Sequence, residues 1–141
     1  MKFINPPHWK SPKGYNNGVL CPPGGSILFI AGQVGWDEKE VMQEGFVNQF
    51  RRALQNVVAV VEEAGGNASD IVRLTMYITD RTLYLDHLKE VGEAYRAVIG
   101  KHFPAMAMVE VNALMEEQAM VEIEGTAVIP NSFSKKDEIS A

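Results

Sequence analysis

The sequence contains few of the residues that build metal sites and disulfides. Its 141 residues include one cysteine, Cys21, and three histidines. A single cysteine excludes a disulfide within the chain, and no group of Cys and His residues has the spacing of a structural zinc site. We therefore expect no bound metal and no cofactor.

The chain also lacks a long apolar run and an excess of positive charge. No apolar stretch approaches the ~20 residues of a membrane span, and no charged-then-apolar leader opens the sequence. With 13 basic and 18 acidic residues the formal net charge is −5, whereas a nucleic-acid surface needs clustered Lys and Arg. These absences favour a soluble cytoplasmic protein with no membrane or nucleic-acid partner.

Two stretches have the period of amphipathic helices. Apolar side chains recur every three or four positions over 46–64, which predicts about five turns ended by glycine at 65. The polar face of this helix, which includes Gln49, is expected to be solvated. A second helix is predicted to begin at a cap formed by Asp80 or Thr82 and to end at Gly100.

The last predicted strands form a hairpin within 102–128, joined by a polar loop at 114–118. Alternate side chains of a strand point to opposite faces, so each strand divides into two sets. One set is small and apolar and is expected under the helices: Ala107, Val109, Val111, Val121 and Ile123. The other set mixes thioethers with carboxylates: Met106, Met108, Glu110, Met120, Glu122 and Glu124.

The order β-β-β-α-β-α-β-β predicts an α+β fold, a single mixed β-sheet with two helices packed on one face. It forms one domain over 1–130, followed by a flexible C-terminal tail at 131–141. Arg73 and Tyr77 are expected on the other sheet face with the hairpin carboxylates. Ile71 and the methionines would make that face too apolar to stay solvated, which indicates a partner.

Three segments of this hairpin, 102–105 (HFPA), 109–111 (VEV) and 121–124 (VEIE), resemble the closing signature of the Rid (YjgF/YER057c/UK114) family. That signature usually reads P-A-R-S-x-V-E-V followed by I-E-I-E-A. Tyr15 in GYNNGV and Gly32 in FIAGQVGWD match two earlier blocks in the family's order. The resemblance implies a chorismate-mutase-like unit that assembles as a homotrimer, with small-molecule clefts between subunits.

The resemblance also implies site residues. Glu122 matches the carboxylate implicated in activating water for imine hydrolysis, and Tyr15 and Gly32 match substrate-binding positions of the cleft. Met106 stands where the family has an arginine that grips a substrate carboxylate, and Met108 stands where it often has cysteine. A thioether cannot reproduce an arginine–carboxylate pair. Glu110 is expected to be a structural, trimer-facing carboxylate.

Several alternatives remain open at this point. Glu122 could instead form an interface salt bridge with Arg73 or with an arginine of a neighbouring chain. Gly92 replaces a common family asparagine, and Arg73, Arg96 or His102 could replace the missing arginine.

Three functions compete. The first is an enamine/imine deaminase that hydrolyses a reactive imine lacking the usual carboxylate contact and releases ammonia. The second is a non-catalytic trimeric binding protein for a small metabolite in the intersubunit cleft. The third, an endoribonuclease or translation inhibitor, is the weakest, because the sequence offers no paired histidines and is acidic.

Overall fold

The computed structural model describes residues 1–130, and the tail predicted for 131–141 lies outside them. No helix within residues 1–130 is both long enough and apolar enough to cross a membrane. The elements are β1 (Lys2–Ile4), β2 (Gly18–Leu20), β3 (Ser26–Val34), α1 (Phe46–Glu63), β4 (Ile71–Ile78), α2 (Arg81–Asp86), α3 (Leu88–Val98), β5 (Ala105–Glu110) and β6 (Val121–Ile129).

One four-stranded mixed sheet carries the helices on one face, which confirms the α+β prediction. Its strand order is β3-β6-β4-β5, while β1 and β2 pair with each other in a separate small sheet. Side chains of α1, such as Phe50 and Leu54, are buried with Leu74 of β4 and Ile123 of β6 in a single core. The amphipathic stripe read from the sequence therefore lies against the sheet.

Helix α1 ends as the paired glycines predict. The Gly65 N–H donates to the Glu62 carbonyl and the Gly66 N–H donates to the Val61 carbonyl, both at 3.0 Å. Gly65 adopts a φ of 90°, a left-handed conformation that costs glycine little. This Schellman motif satisfies the last carbonyls of the helix.

The second predicted helix is two helices. Asp80 caps α2, because its Oδ1 accepts the Leu83 N–H at 3.1 Å. The chain then leaves helical geometry at His87, with φ −124° and ψ 27°, before α3 begins. The His87 ring Nδ1 lies 2.8 Å from the Leu83 carbonyl oxygen and holds the junction. The stop at Gly100 is confirmed by its φ of 84°.

The predicted hairpin of the last two strands is wrong, because β4 lies between β5 and β6. Strand β5 runs parallel to β4, and the register pairs Leu74 with Met106 and Met76 with Met108. Leu74 and Met76 are buried under the helices. Since paired residues of neighbouring strands point to the same face, Met106 and Met108 also face the helices. The expected orientation of β5 is therefore reversed.

The face of the sheet away from the helices, here called the open face, exposes other apolar residues than the sequence predicts. Ile71 lies in the helix-side core, and Met106, Met108 and Met120 pack against that core. On the open face, Ile27 is 63% exposed, Phe29 78% and Val109 44%. In a single chain one face of β3 is therefore exposed to solvent. The exposed apolar side chains of this face thus belong to β3 and β5.

Gln49 on α1 is buried, contrary to the solvated polar face expected of this helix. Its side chain is 3% exposed. The amide Nε2 donates to the carbonyls of Gln43 and Gln118 at 3.1 Å, and Oε1 accepts the Met120 N–H at 2.8 Å. One side chain thereby joins the helix, the loop before it and the connection that enters β6.

We predict that Gln49→Ala destabilises the fold by about 1–3 kcal/mol, because one main-chain N–H and two carbonyls lose the partner that the buried amide provides. Gln55→Ala is the matched control, since Gln55 is exposed on the same helix. It should change stability by ~0.5 kcal/mol or less. Urea unfolding at one fixed protein concentration measures both. Equal midpoints for the two variants would show that this clamp contributes nothing.

Candidate functional site

Four polar side chains lie together on the open face of the sheet. In the antiparallel pairing of β4 and β6, Tyr77 is opposite Glu122 and Thr75 is opposite Glu124. The Tyr77 hydroxyl donates to Glu124 Oε1 at 2.7 Å. Arg73 lies on the same face, two pairs along β4. The predicted sharing of this face by Arg73 and Tyr77 with Glu122 and Glu124 is confirmed. It is wrong for Glu110, which pairs with the buried Ile78 and so points to the helix side.

Tyr77 forms a hydrogen bond with Glu124 and not with Glu122. Its pKa is raised above the ordinary tyrosine value, first by the hydrogen bond to Glu124 and then by burial and by the charges of Glu124 and Glu122, while Arg73 opposes the rise. The hydroxyl therefore remains a donor to Glu124. The ion pair found among residues 1–130 is Arg52–Glu38, so Glu122 has no such pair with Arg73 within this chain.

Gly32 provides the space that Glu122 occupies. The pairing of β3 with β6 is irregular between Ile30 and Gln33, so Gly32 lies in a bulge. A Cβ at residue 32 would stand 2.6 Å from Glu122 Oε2 and 2.9 Å from its Cδ. Any side chain here would displace the carboxylate. Gly32 thus lies in a bulge and leaves room for the Glu122 carboxylate.

A cleft of about 310 Å³ opens on the other side of the sheet, between α3 and the edge strand β5. Tyr15, Met106 and Met108 line it together. The helix supplies Leu88, Val91, Gly92 and Arg96, and further walls come from Lys13, Tyr84 and Phe103.

Asn16 fixes Tyr15 beside β5. Its N–H donates to the Pro104 carbonyl at 3.1 Å, and its side-chain amide donates to the Phe103 carbonyl at 2.5 Å. Asn16 also forms an isolated parallel bridge with Ala105. The residue before it is thus held at the mouth of the cleft. A smaller hollow of about 200 Å³ continues from there past Arg73 and Ala107.

Within one chain, the expected site residues lie in two groups on opposite faces of the sheet. Tyr15, Met106 and Met108 meet in the cleft on the helix side. Glu122 and Gly32 meet on the open face. The prediction that Glu122 shares a face with the two methionines is wrong, because it assumed that β5 pairs antiparallel with β6.

Two other titratable candidates are structural. Glu110 Oε1 accepts the Arg81 N–H at 2.7 Å and so satisfies the first turn of α2. His102 Nε2 lies 2.6 Å from the Ile71 carbonyl oxygen, and the Tyr95 hydroxyl donates to the His102 carbonyl at 2.6 Å. Over residues 1–130, no three His, Cys, Asp or Glu side chains converge where a metal ion could bind.

Sequence reasoning missed Lys13, Tyr84 and Phe103 as cleft residues. Leu88, Val91 and Tyr95 of α3 line the cleft as well. Strand β5 is the last strand of the sheet, so the stripe of α3 reaches the sheet edge and forms a wall there. The position of β5 at the edge was the missing signal.

Comparison with known proteins agrees with this architecture. Residues 8–129 match the family described as Endoribonuclease L-PSP. The chain belongs to this family, the Rid family. A 2-iminobutanoate/2-iminopropanoate deaminase of Salmonella typhimurium is 36% identical over 108 residues, which cover 74% of this chain and 80% of that protein. The resemblance seen in the sequence is confirmed.

Solved Rid structures share the fold. YyfB of Yersinia pestis, a protein of unknown function of the conserved Rid family, superposes with a TM-score of 0.80 at 27% identity and covers 91% of this chain and 98% of its own. TdcF of E. coli with bound serine gives a TM-score of 0.64 at 29% identity, with the same coverage of 91% and 98%. The assignment of individual site residues stays a prediction.

We predict that Glu124→Gln lowers the pKa of Tyr77, because the charged acceptor that holds its proton is removed. A raised folded-state pKa stabilises the fold below the unfolded-state pKa, and this stabilisation is lost as pH rises through the folded-state pKa. In both proteins this loss begins at the unfolded-state pKa. In the variant it should be smaller and end at a lower pH, because the folded-state pKa of Tyr77 lies closer to the unfolded-state value. Tyrosine-labelled NMR titration, assigned with Tyr77→Phe, measures the pKa directly. Glu116→Gln is the control, and an unmoved Tyr77 pKa would contradict the assigned cause.

Proposed function

We propose that this Rid protein is an imine deaminase-type hydrolase that works as a homotrimer, with each active site completed by a neighbouring copy. The observation that carries the proposal is the division of the site. One face of the chain offers an apolar, partly cationic cleft with no carboxylate in its lining. The opposite face offers Glu122, seated against Gly32. A second copy that brings its open face to the cleft would join the two.

The exposed apolar residues of the open face support such an assembly. Ile27, Phe29 and Val109 lie on the same face as Glu122, and each is more than two-fifths exposed in a single chain. These exposed apolar side chains, on the two edge strands of the sheet, support an interaction surface. Covering it with another copy would also shield Glu122 from bulk water, which strengthens its effect on a cationic substrate.

The chemistry needs one carboxylate and one water molecule. Glu122 removes a proton from water as the oxygen adds to the C=N⁺ carbon of a protonated imine, giving a carbinolamine. The same carboxylic acid returns that proton to the nitrogen. Loss of ammonia and of the hydroxyl proton then leaves the carbonyl product. The negative charge of Glu122 also stabilises the cationic imine before water adds.

Met106 and Met108 determine how the substrate contacts the edge strand. The Salmonella relative is named for 2-iminobutanoate and 2-iminopropanoate, which are small imino acids with apolar side chains. Because a thioether donates no hydrogen bond, we propose that residue 106 packs on the hydrocarbon part of the substrate. The substrate thus lacks the usual carboxylate contact at this position.

A trimeric binding protein for a small metabolite is the alternative function, since the same cleft can hold a ligand without chemistry. Only the hydrolase requires Glu122. The ribonuclease named in the family description has less support here. His87 and His102 each contact a main-chain carbonyl, and the net charge of −5 disfavours RNA.

We predict that Glu122→Gln lowers the rate of ammonia release from enzymatically generated 2-imino acids about 100-fold or more. Sedimentation should show an unchanged assembly. Glu117→Gln, an exposed carboxylate in the connection to β6, is the matched control and should retain the parent rate. A parent that binds but never hydrolyses imines would favour the binding protein. Equal rates for parent and Glu122→Gln would remove Glu122 from the mechanism.

A further inference from the structure

The charge of the cleft differs from that of the whole chain. The protein has 18 acidic and 13 basic residues, yet the cleft is lined by Lys13 and Arg96 and by no carboxylate. Its remaining walls are mainly apolar and aromatic, with Met106, Met108 and Phe103 among them. A ligand that suits such a cleft carries a negative group on an apolar body.

The Arg96 side chain lies over Gly92, which precedes it by one turn of α3. A Cβ built on Gly92 would be 3.3 Å from Arg96 Nη1 and 3.7 Å from Nη2. The three heavy atoms nearest to it all belong to the Arg96 guanidinium. Glycine inside a helix costs about 1 kcal/mol relative to alanine. Here the missing side chain leaves room for the guanidinium to fold back along the helix and line the cleft.

The guanidinium has no carboxylate partner within residues 1–130, where the ion pair found is Arg52–Glu38. Its planar set of donors fits a carboxylate in a two-bond arrangement. Met106, on the facing strand, has no donor to offer. Within the cleft, the group best suited to bind a carboxylate is therefore on the helix.

We propose that Arg96, lying over Gly92, is the anion-binding residue of this cleft and that the ligand is a small organic acid with an apolar body. The acid group lies at the α3 wall, and the hydrocarbon part lies against Met106 and Met108. This inference rests on the proposed function only in taking the cleft as the ligand site. It names the substrate class as acids bound from the helix side.

Calorimetric binding tests this without any turnover. The probes are 2-oxobutanoate and its methyl ester, which has the same body and no charge. Arg96→Gln should weaken binding of the acid about tenfold or more and leave the ester unchanged, because only a charge-assisted contact is removed. Arg96→Lys should retain part of the affinity. Arg51→Gln, on α1 and outside the cleft lining, is the matched control and should bind like the parent.

Gly92→Ala gives an independent readout. It should raise the melting temperature, since alanine is the better helix former, and weaken binding of the acid, because the guanidinium must move away from the new Cβ. If Gly92 had only a structural role, the substitution would raise the melting temperature without weakening binding of the acid. No binding of the acid by the parent, or equal binding by parent and Arg96→Gln, overturns the proposal. Arg96-dependent binding without imine hydrolysis would sustain it and reject the hydrolase.

Discussion

The parallel pairing of β5 with β4 is the constraint on which the site depends. Parallel neighbours need a crossover, which α2 and α3 supply, and this crossover leaves β5 at the sheet edge beside α3. The register then decides which side chains face the helices. Met106 and Met108 follow Leu74 and Met76 to the helix side. A slip of one residue would turn both methionines to the open face, and the cleft would lose the wall that they form.

Two glycines each make room for one charged side chain. Gly32 leaves space for the Glu122 carboxylate on the open face, and Gly92 leaves space for the Arg96 guanidinium on the helix side. Neither has a positive φ, so each acts through its size. The sheet separates the two charges within one chain, so they do not neutralise each other there. In the proposed trimer, a cleft of one copy and a carboxylate of the next would act on opposite ends of one substrate.

Local patterns predicted most of the fold. The apolar stripe of α1, its glycine stop and the alternation of β4 and β6 were unambiguous, because charged and apolar side chains took opposite faces. Strand β5 offered a misleading contrast. Before Glu110 both of its faces are apolar, Met106 and Met108 on one and Ala107 and Val109 on the other, so its orientation depended on which neighbour it pairs with. That information lies in the topology and not in the strand.

The sequence predicted some residues of the site and missed others. The family match named Tyr15, Gly32 and Glu122, and the structure gives each a defined place. Gln49 could not be recognised, since it sits in a polar stripe and its partners are main-chain groups 69 and 71 residues later. Arg96 was one of several candidates. Its place in the cleft lining, over Gly92, distinguishes it from Arg73, which lies on the open face. Long-range contacts decide both cases.

Mixing two inactive variants tests the shared active site most directly. Glu122→Gln keeps an intact cleft, whereas Gly92→Phe fills the cleft and keeps Glu122. Each alone should be inactive, and a mixed trimer formed by co-expression with two affinity tags should regain activity at about one interface in three. Activity of the doubly tagged species well above that of either variant is the predicted result. Intact mixed trimers no more active than the separate variants would contradict a site shared between copies.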